Sequence, residues 1–179
     1  MVQNTDAKNS LIQTLRSYID ISETLERQLR ERTAVRKIGN NRNLSLYEDA
    51  HFFVDTGLVK KQHTEHDDVT HFIADHDFGI FHSAGLSYEL LTLEPTTLVT
   101  IHAEDLTSIL AQNPGLLAAY QKLLLFWAMQ RLARNELLNL GASERKQHFI
   151  RHNRKIVNRV PNKDIASYLK MTPNYYSSL

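Results

Sequence analysis

Histidine and aspartate side chains crowd one stretch of the chain, where they could hold a metal ion. Zn²⁺ accepts imidazole and carboxylate ligands of this kind. None of these histidines has the His-x3-His spacing of a helical metal site, and they fall at strand-like ends and turns. We therefore interpret them as solvated turn residues and predict no metal site, with a metal-dependent protein as a third hypothesis and a pH sensor titrating near neutrality as another. The residues concerned are His63, His66, His71, His76, His82, Asp67, Asp68, Asp75 and Asp77.

Motifs for covalent or phosphate chemistry are missing from the sequence. It contains no Gly-x-Ser-x-Gly, no glycine-rich phosphate loop and no recognisable order of serine, histidine and aspartate. The absence of cysteine excludes thiolate ligands, cysteine nucleophiles and disulfides. No apolar run approaches the roughly 20 residues that span a bilayer, and residues 1–9 hold no signal-peptide core. We predict a cytoplasmic protein that is not an enzyme, needs no cofactor and does not bind a membrane.

Charge is divided unevenly along the 179 residues, although the formal net charge is only +1. Residues 1–130 contain 11 Lys and Arg against 17 Asp and Glu, a net of −6, whereas residues 131–179 contain 10 against 3, a net of +7. Lys and Arg that neutralise phosphates provide most non-specific affinity for nucleic acid. The asymmetry favours an acidic module joined to a basic one that binds polyanions, and a solvated helical surface is the alternative.

The basic end contains two short helical patterns separated by a tight turn. Asn162 is a candidate N-cap for the first helix, and Asp164 in its first turn suits the helix dipole. Thr172 and Pro173 provide a cap and an N1 proline for the second helix. Such a pair is the unit with which helix-turn-helix proteins read DNA, and an ordinary helical hairpin packed on the β-domain is the alternative. The predicted DNA contacts, to base edges or phosphates, are Arg159, Lys163, Lys170, Thr172, Pro173, Asn174, Tyr175, Ser177 and Ser178.

The elements that precede this tail change character along the chain. Residues 10–32 show apolar positions at three- and four-residue spacing, and Ser22 marks a second helix start within them. Residues 33–101 hold short β-branched and aromatic runs between turn residues, a pattern typical of a sandwich or barrel. The predicted strands are 35–38, 44–47, 51–54, 58–62, 69–74, 88–93 and 97–101.

The longest predicted helix begins at Asn113 and Pro114, a cap followed by an N1 proline, and runs to Leu140, with Gly141 as its stop. Too much of its circumference is apolar for a single buried face. One partner would be its own β-domain, and the other the same helix of a second subunit in a two-fold dimer. Burial of the helix inside a monomer is the alternative. The predicted interface residues are Leu116, Tyr120, Leu123, Leu124, Trp127, Ala128 and Leu132.

Residues 159–173 read RVPNKDIASYLKMTP. This segment closely resembles the winged-helix segment of Crp/Fnr-type regulators, particularly a short subgroup common in Bacteroidetes-like bacteria. Residues 54–59 resemble the strand-Gly-strand of that family's β-roll, and residues 77–79 the start of its phosphate-binding segment. The resemblance implies an α+β protein with N-terminal helices, a β-roll like the jelly roll of cyclic-nucleotide-binding domains, a long dimerisation helix and a C-terminal helix-turn-helix.

The same resemblance implies a domain organisation and a function. Residues 1–112 would be the sensor β-roll, 113–141 the dimerisation helix and hinge, and 142–179 the DNA-binding domain. The implied function is a homodimeric transcription factor that binds a two-fold operator in double-stranded DNA, and whether it also has a small-molecule effector is left open.

Two departures from the family pattern change what we expect of the sensor domain and the turn. Cyclic-AMP-binding relatives hold the nucleotide with a Gly-Glu pair and a nearby arginine, whereas here Ile80 follows Gly79 and no arginine lies between Arg42 and Arg131. A buried phosphate favours a bidentate guanidinium, so we predict that no cyclic nucleotide binds. Lys170 stands where relatives have a turn glycine, and a left-handed conformation there would cost about 1 kcal/mol.

Further departures concern the reading helix. Ser178 stands where relatives usually have an arginine, which removes the commonest guanine contact. The sequence ends at Leu179, within the predicted reading helix, whereas relatives continue further, so either the DNA-binding domain is truncated or the protein continues past Leu179. The rival to a DNA-binding regulator is a ligand- or protein-binding β-roll with a vestigial tail that does not bind DNA.

Overall fold

Two helices precede the first strand, as the apolar spacing predicted. The structure is a computed structural model that describes residues 2–44, 50–66, 68–81 and 87–179. Helix α1 (Val2–Arg16) begins before residue 10, the predicted start, and α2 (Glu23–Arg32) follows Ser22. The Ser22 Oγ accepts a hydrogen bond from the backbone N–H of Leu25 at 3.2 Å, which confirms Ser22 as an N-cap.

The strands of the described residues form two antiparallel sheets. They are β1 (Ala34–Ile38), β2 (Ala50–Thr56), β3 (Val59–His63), β4 (Val69–Ile73), β5 (Phe78–Ile80), β6 (Tyr88–Thr92) and β7 (Thr96–His102). The first sheet has the order β1-β7-β2-β5, and the second has the order β4-β3-β6. Side chains of both sheets, among them Phe52, Val59 and Leu98, meet in one buried cluster. The two sheets therefore pack face to face around this core.

Six of the seven predicted strands coincide with observed ones, and the remaining run, 44–47, lies largely outside the described residues. Strand β5 was not predicted, because it is only three residues long and has a glycine at its centre. A Cβ on Gly79 would lie 2.1 Å from the Phe52 ring, so the packing of β5 on β2 requires a glycine there. Residues 82–86, which follow this segment, lie outside the described residues.

Two helices follow the sheets, and their junction differs from the prediction. Helix α3 (Ala103–Gln112) was not predicted, and α4 (Pro114–Leu138) begins at the expected N1 proline. The Asn113 amide donates to the carbonyl of Ile109 at 2.7 Å, so its side chain binds the end of α3 and does not cap α4. None of the helices in the described ranges combines the length and apolar character that a bilayer crossing requires.

The end of α4 also differs from the prediction. The helix ends at Leu138, before Leu140, because the N–H of the C-cap residue Asn139 bonds back to the carbonyls of the last turn. Gly141 has an ordinary φ of −61° and is the N-cap residue of α5 (Ala142–His152). It therefore begins the next helix and is not a left-handed stop for α4.

The last two helices form a short tail that packs on the second sheet. They are α6 (Asn162–Tyr168) and α7 (Pro173–Ser178). The cap of α6 is Pro161 and not Asn162, which is the first helical residue. Leu58 and Val69 of the sheet region share one buried cluster with Ile165 and Leu169 of the tail. The packing of the tail on the β-domain therefore buries the inner face of α6.

Candidate nucleic-acid interface

The outer face of α7 is exposed to solvent. Asn174, Ser177 and Ser178 are exposed, and Tyr175 keeps 49% of its surface accessible. Tyr176 is the buried side chain of this helix, at 5% exposure. Helix α7 thus presents amide, phenol and hydroxyl groups outward while one aromatic ring anchors it.

Hydrogen bonds within α7 fix the orientation of its polar groups. The Thr172 Oγ1 accepts from the N–H of Tyr175 at 3.3 Å, so Thr172 is the predicted N-cap. The hydroxyl of Ser177 donates to the carbonyl of Pro173, and that of Ser178 donates to the carbonyl of Tyr175, both at 2.9 Å. Asn174 and Tyr175 are therefore the exposed side chains best suited to external contacts.

The turn between α6 and α7 has the hydrogen bonds of a Schellman motif. The N–H of Met171 bonds to the carbonyl of Ala166 at 2.9 Å, and that of Lys170 bonds to the carbonyl of Ser167 at 3.0 Å. Lys170 has a φ of 55°, so the prediction of a left-handed lysine is confirmed. The motif usually has a glycine at this position, and the turn is built here without one.

Three arginine and lysine side chains stabilise the tail by donating to its backbone. Arg134 of α4 donates to the carbonyls of Tyr168, at 2.8 Å, and of Val69, at 3.2 Å. Arg145 of α5 donates to the carbonyl of Leu169 at 2.7 Å. Helices that end without partners for their last carbonyls are destabilised, so these two side chains complete the C-terminus of α6.

The third of these donors binds the backbone of helix α7. Lys146 of α5 donates to the carbonyl of Tyr176 at 2.8 Å, and its ammonium lies 4.5 Å from the centre of the Tyr176 ring. None of the three donors was among the predicted site residues.

Two of the three cations predicted to lie near phosphates are paired within the subunit. Arg159 donates to Asp75 and to Glu94, and Lys170 donates to Asp68. The carboxylates lie in the β-domain, so these side chains hold the tail and are not free to contact phosphate in this arrangement. Burial alone would raise the pKa of Asp75, but hydrogen bonds from Arg159 and from a backbone N–H hold that pKa below its usual value.

Lys163 is the predicted phosphate cation that stays available. It is exposed at the start of α6 and forms no ion pair with any residue in the described part of the chain. Arg154, just before the tail, is exposed and unpaired by the same measure. Arg151 and Lys155 are also exposed and form no ion pair within the described residues, so part of the positive charge of residues 131–179 stays available and part is paired.

A buried ion pair joins the tail to the middle of the second sheet. The Lys60 ammonium lies 2.7 Å from Asp164 Oδ1, and the two side chains are 11% and 6% exposed. Next to it, the Val69 N–H donates to the Ser167 Oγ at 2.9 Å. The helix dipole was the role predicted for Asp164, and its position opposite Lys60 is an additional one that the sequence did not indicate.

The long helix α4 packs its inner face on its own β-domain. Leu116 is buried with Ile101 and Leu25, so it is not available to a second subunit, contrary to the prediction. The phenol of Tyr120 lies 2.8 Å from His51 Nε2. These contacts place Tyr120 beside its own sheet and not on the outer face of the helix.

The outer face of α4 is apolar and exposed. Leu124 and Leu132 keep 40% and 54% of their surface accessible, Ala128 between them is exposed, and Leu125 and Met129 flank them at 64% and 55%. Leu123 and Trp127 are half-buried. The predicted interface residues thus divide into an inner group and an exposed stripe, Leu124, Ala128 and Leu132.

His71 lies on β4 among positive charges. It is opposite Lys61 in the β3–β4 ladder. Burial, followed by the charges of Lys61, Arg131 and Arg134, lowers the pKa of His71 to about 4. His71 is therefore neutral near pH 7 and does not titrate at the neutral pH suggested for the histidine-rich segment.

The other clustered histidines lie in separate places. His76 adopts a left-handed conformation with φ of 67° and stacks on Phe53, with ring centres 6.0 Å apart. His63, the last residue of β3, stacks on His66 in the turn that follows it. His82 lies outside the described residues. The four histidines of this group that the structure describes are therefore not gathered into one site.

Comparison with known proteins gives a likeness of fold. No family model matches the chain, and no curated protein matches it in sequence. FixK2 from Bradyrhizobium japonicum superposes with a TM-score of 0.70, over 82% of this chain and 81% of that protein, at 15% identity. A Crp/Fnr-family transcriptional regulator from Eubacterium rectale has a TM-score of 0.70, over 90% and 85%, at 12% identity.

A third similar structure is that of a regulator with a known effector. It is CLP from Xanthomonas campestris, a global regulator responsive to c-di-GMP, with a TM-score of 0.65 over 88% of this chain and 89% of that protein, at 12% identity. At such identities the likeness concerns the fold alone. This chain has the fold of Crp/Fnr regulators: a β-domain of antiparallel sheets, a long helix and a helical C-terminal tail.

Proposed function

We propose that this chain is a DNA-binding transcription regulator of the Crp/Fnr type, in which α6 and α7 form the helix-turn-helix. The observation that carries the proposal is the capped, outward-facing α7, fixed above a buried α6. A reading helix must be rigid and must expose its first turn to the major groove. A regulator of this kind acts in the cytoplasm and needs no catalytic centre.

The proposal assigns a role to each part of the chain. Residues 1–112 are a sensor domain with the jelly-roll topology of cyclic-nucleotide-binding domains, 113–141 the dimerisation helix and hinge, and 142–179 the DNA-binding domain. The short subgroup of Bacteroidetes-like bacteria is the family branch whose tail sequence it resembles.

Contacts with DNA divide into two kinds in this proposal. Asn174 and Tyr175 reach base edges, and asparagine can bond adenine with two hydrogen bonds. Lys163 and the N-cap residue Thr172 lie at the DNA backbone, where contacts fix the register without reading sequence. Ser177 donates to a phosphate only if its hydroxyl leaves the Pro173 carbonyl. Arg159 and Lys170 contribute to phosphate binding only if they leave their carboxylate partners.

The sensor domain is proposed not to bind cyclic nucleotide. The cations of β3 are already engaged, since Lys60 pairs with Asp164 and the Lys61 ammonium lies 4.9 Å from the centre of the Tyr88 ring. A buried cyclic phosphate would need a replacement for the missing arginine. The effector is therefore a molecule of another class.

One observation favours a second function. Because Arg159 and Lys170 hold the tail on the β-domain, the chain could be a ligand- or protein-binding β-roll with a vestigial tail. Binding to random duplex DNA at increasing salt separates the two. A regulator is expected to bind, and its affinity to fall at least about tenfold between about 50 and 200 mM salt. Absence of binding at every salt concentration supports the second function.

Matched variants locate the binding surface in the same experiment. Lys163→Ala is expected to weaken binding and to reduce the magnitude of the slope of log affinity against log salt by about 1.8 for a dimer, because each subunit loses one phosphate contact worth about 0.9. Arg27→Ala, which removes an exposed cation of α2, is the control. Equal effects of the two variants would place the DNA elsewhere on the protein.

A further inference from the structure

The turn between β3 and β4 brings three metal-binding side chains together. One ligand atom each from His63, Glu65 and His66 lies within 4.8 Å of the others. The two imidazole rings are stacked, with their centres 5.2 Å apart and 14° between their planes. We propose that these three residues form a binding site for a divalent transition-metal ion such as Zn²⁺ or Ni²⁺.

The donor set suits such an ion. Two imidazoles and one carboxylate are a common zinc ligand set, with one position left for water. Donors around tetrahedral zinc lie roughly 3.3 Å apart, so the three groups have to approach by at most about 1.5 Å. His66 and Glu65 are exposed, with 69% and 67% of their side chains accessible, and can rotate without disturbing the core.

One of the three ligands is already held in place. The His63 and Tyr88 rings form a T-shaped contact, with their centres 5.1 Å apart. The Nδ1 of His63 accepts a 3.3 Å hydrogen bond from the N–H of Glu65, and a metal ion has to displace this bond, because ligation through Nε2 requires the proton on Nδ1. The ladder pairs His63 with Tyr88 on β6, so the ring lies at the end of a regular strand. Metal binding would therefore restrict fewer mobile side chains than it would at a site with three mobile ligands.

The site lies next to the contacts that hold the tail. Asp68, which accepts from Lys170, and Val69, whose N–H donates to Ser167, follow this turn directly. The Asp68 carbonyl also accepts from the N–H of His63 at 2.9 Å. Metal bound across the turn would stiffen the segment on which the α6 contacts depend.

A second histidine pair provides the internal control. His148 and His152 are four residues apart on α5, with ring centres 4.0 Å apart, and could chelate a metal in another way. This pair offers two ligands, whereas the turn offers three. The turn is the stronger site for that reason.

Titration of the untagged full chain with Zn²⁺ at about pH 7.5 tests the proposal. We expect the wild type to bind, and His66→Gln and Glu65→Gln each to weaken binding about tenfold or more. His152→Gln should leave this binding unchanged. These exposed substitutions should not affect folding, which circular dichroism checks.

Two results would overturn the proposal. The first is a wild type that binds no Zn²⁺, and the second is binding that His66→Gln leaves intact while His152→Gln abolishes it. Neither measurement involves DNA, so the metal site and the proposed regulator function can fail separately.

Discussion

Lys170 adopts a left-handed conformation that a glycine would adopt without strain. Its φ of 55° costs a non-glycine residue about 1 kcal/mol. We expect Lys170→Gly to be more stable than Lys170→Ala by about 1 kcal/mol. Both substitutions remove the ion pair with Asp68, so the comparison isolates the backbone term. Urea unfolding of the two variants, with equal m-values, measures the difference.

Equal stability of the glycine and alanine variants would contradict this account of the turn. It would mean that a non-glycine residue adopts the left-handed conformation at position 170 without a cost in free energy. The wild-type lysine serves as a third point, because it alone keeps the contact with Asp68.

Removing one partner of the buried pair Lys60 and Asp164 should cost more stability than replacing both partners by apolar residues. Lys60→Met leaves the Asp164 carboxylate buried without its cation, which is expected to cost about 3–5 kcal/mol. Asp164 Oδ2 is buried and has no hydrogen-bond partner in the described part of the chain, so little else offsets that charge. Chemical unfolding of the variant gives the free energy.

The double substitution is the control for this pair. Lys60→Met with Asp164→Leu replaces two charges by apolar groups, and similar replacements have been neutral or stabilising elsewhere. We expect the double variant to recover most of the stability that the single variant loses. A single variant as stable as the wild type would show that water reaches the pair.

His71 makes the stability of the fold depend on pH. Its pKa is lowered from 6.5 to about 4, so the unfolded chain gains a proton below about pH 6.5 and the folded chain does not. The contribution of His71 to the free energy of unfolding is complete above about pH 6.5 and is lost as the pH falls toward 4. The loss amounts to at most about 3 kcal/mol.

The substitution His71→Gln separates this contribution from those of other groups. Glutamine cannot take up a proton, so the variant should lose less stability than the wild type between about pH 6.5 and 4. Denaturant unfolding at several pH values gives both curves. Parallel curves would show that burial, together with the charges of Lys61, Arg131 and Arg134, does not lower the pKa of His71.

At the scale of elements, sequence patterns predicted those whose determinants are local. Short β-branched and aromatic runs between turn residues identified six strands, and the caps Ser22 and Thr172 marked two helix starts that the structure confirms. Helix α3 lacks such a mark, since its N-cap is His102 and this side chain makes no capping hydrogen bond. Gly141 misled the prediction because a glycine can also begin a helix.

The partners of the site residues could not be predicted in this way. Arg159 was recognised as a cation of the tail, but Asp75 lies 84 residues before it. Asp164 and Lys60 are 104 residues apart. The sequence indicated which side chains carry charge, whereas the packing of the tail on the second sheet determines which charges meet.

At the scale of the whole molecule, the uneven charge distribution has an internal use. Tail cations Arg159 and Lys170 contact carboxylates of the acidic β-domain, and Lys60 and Asp164 form the reverse pair. Part of the asymmetry that predicted polyanion binding therefore holds the two regions of one subunit together. The proposed DNA contact can use the tail cations that do not pair with carboxylates of the subunit.

The exposed apolar stripe of α4 predicts the oligomeric state. Large apolar patches on soluble proteins usually mark interfaces, and this stripe repeats at Leu124, Ala128 and Leu132. We expect the protein to sediment as a dimer and Leu132→Glu to sediment as a monomer, because a buried glutamate without a partner opposes association. Trp127→Glu should act in the same direction, but this half-buried side chain also packs within its own subunit.

Gln130→Glu is the matched control for the dimer. Gln130 is exposed and lies about 160° round the helix from Leu132, so the same added charge falls on another face. This variant should remain dimeric. If Leu132→Glu also remained dimeric, α4 would not be the interface, and the operator would not be read by a pair of tails related through this helix. The stripe would then have to be covered by some other surface.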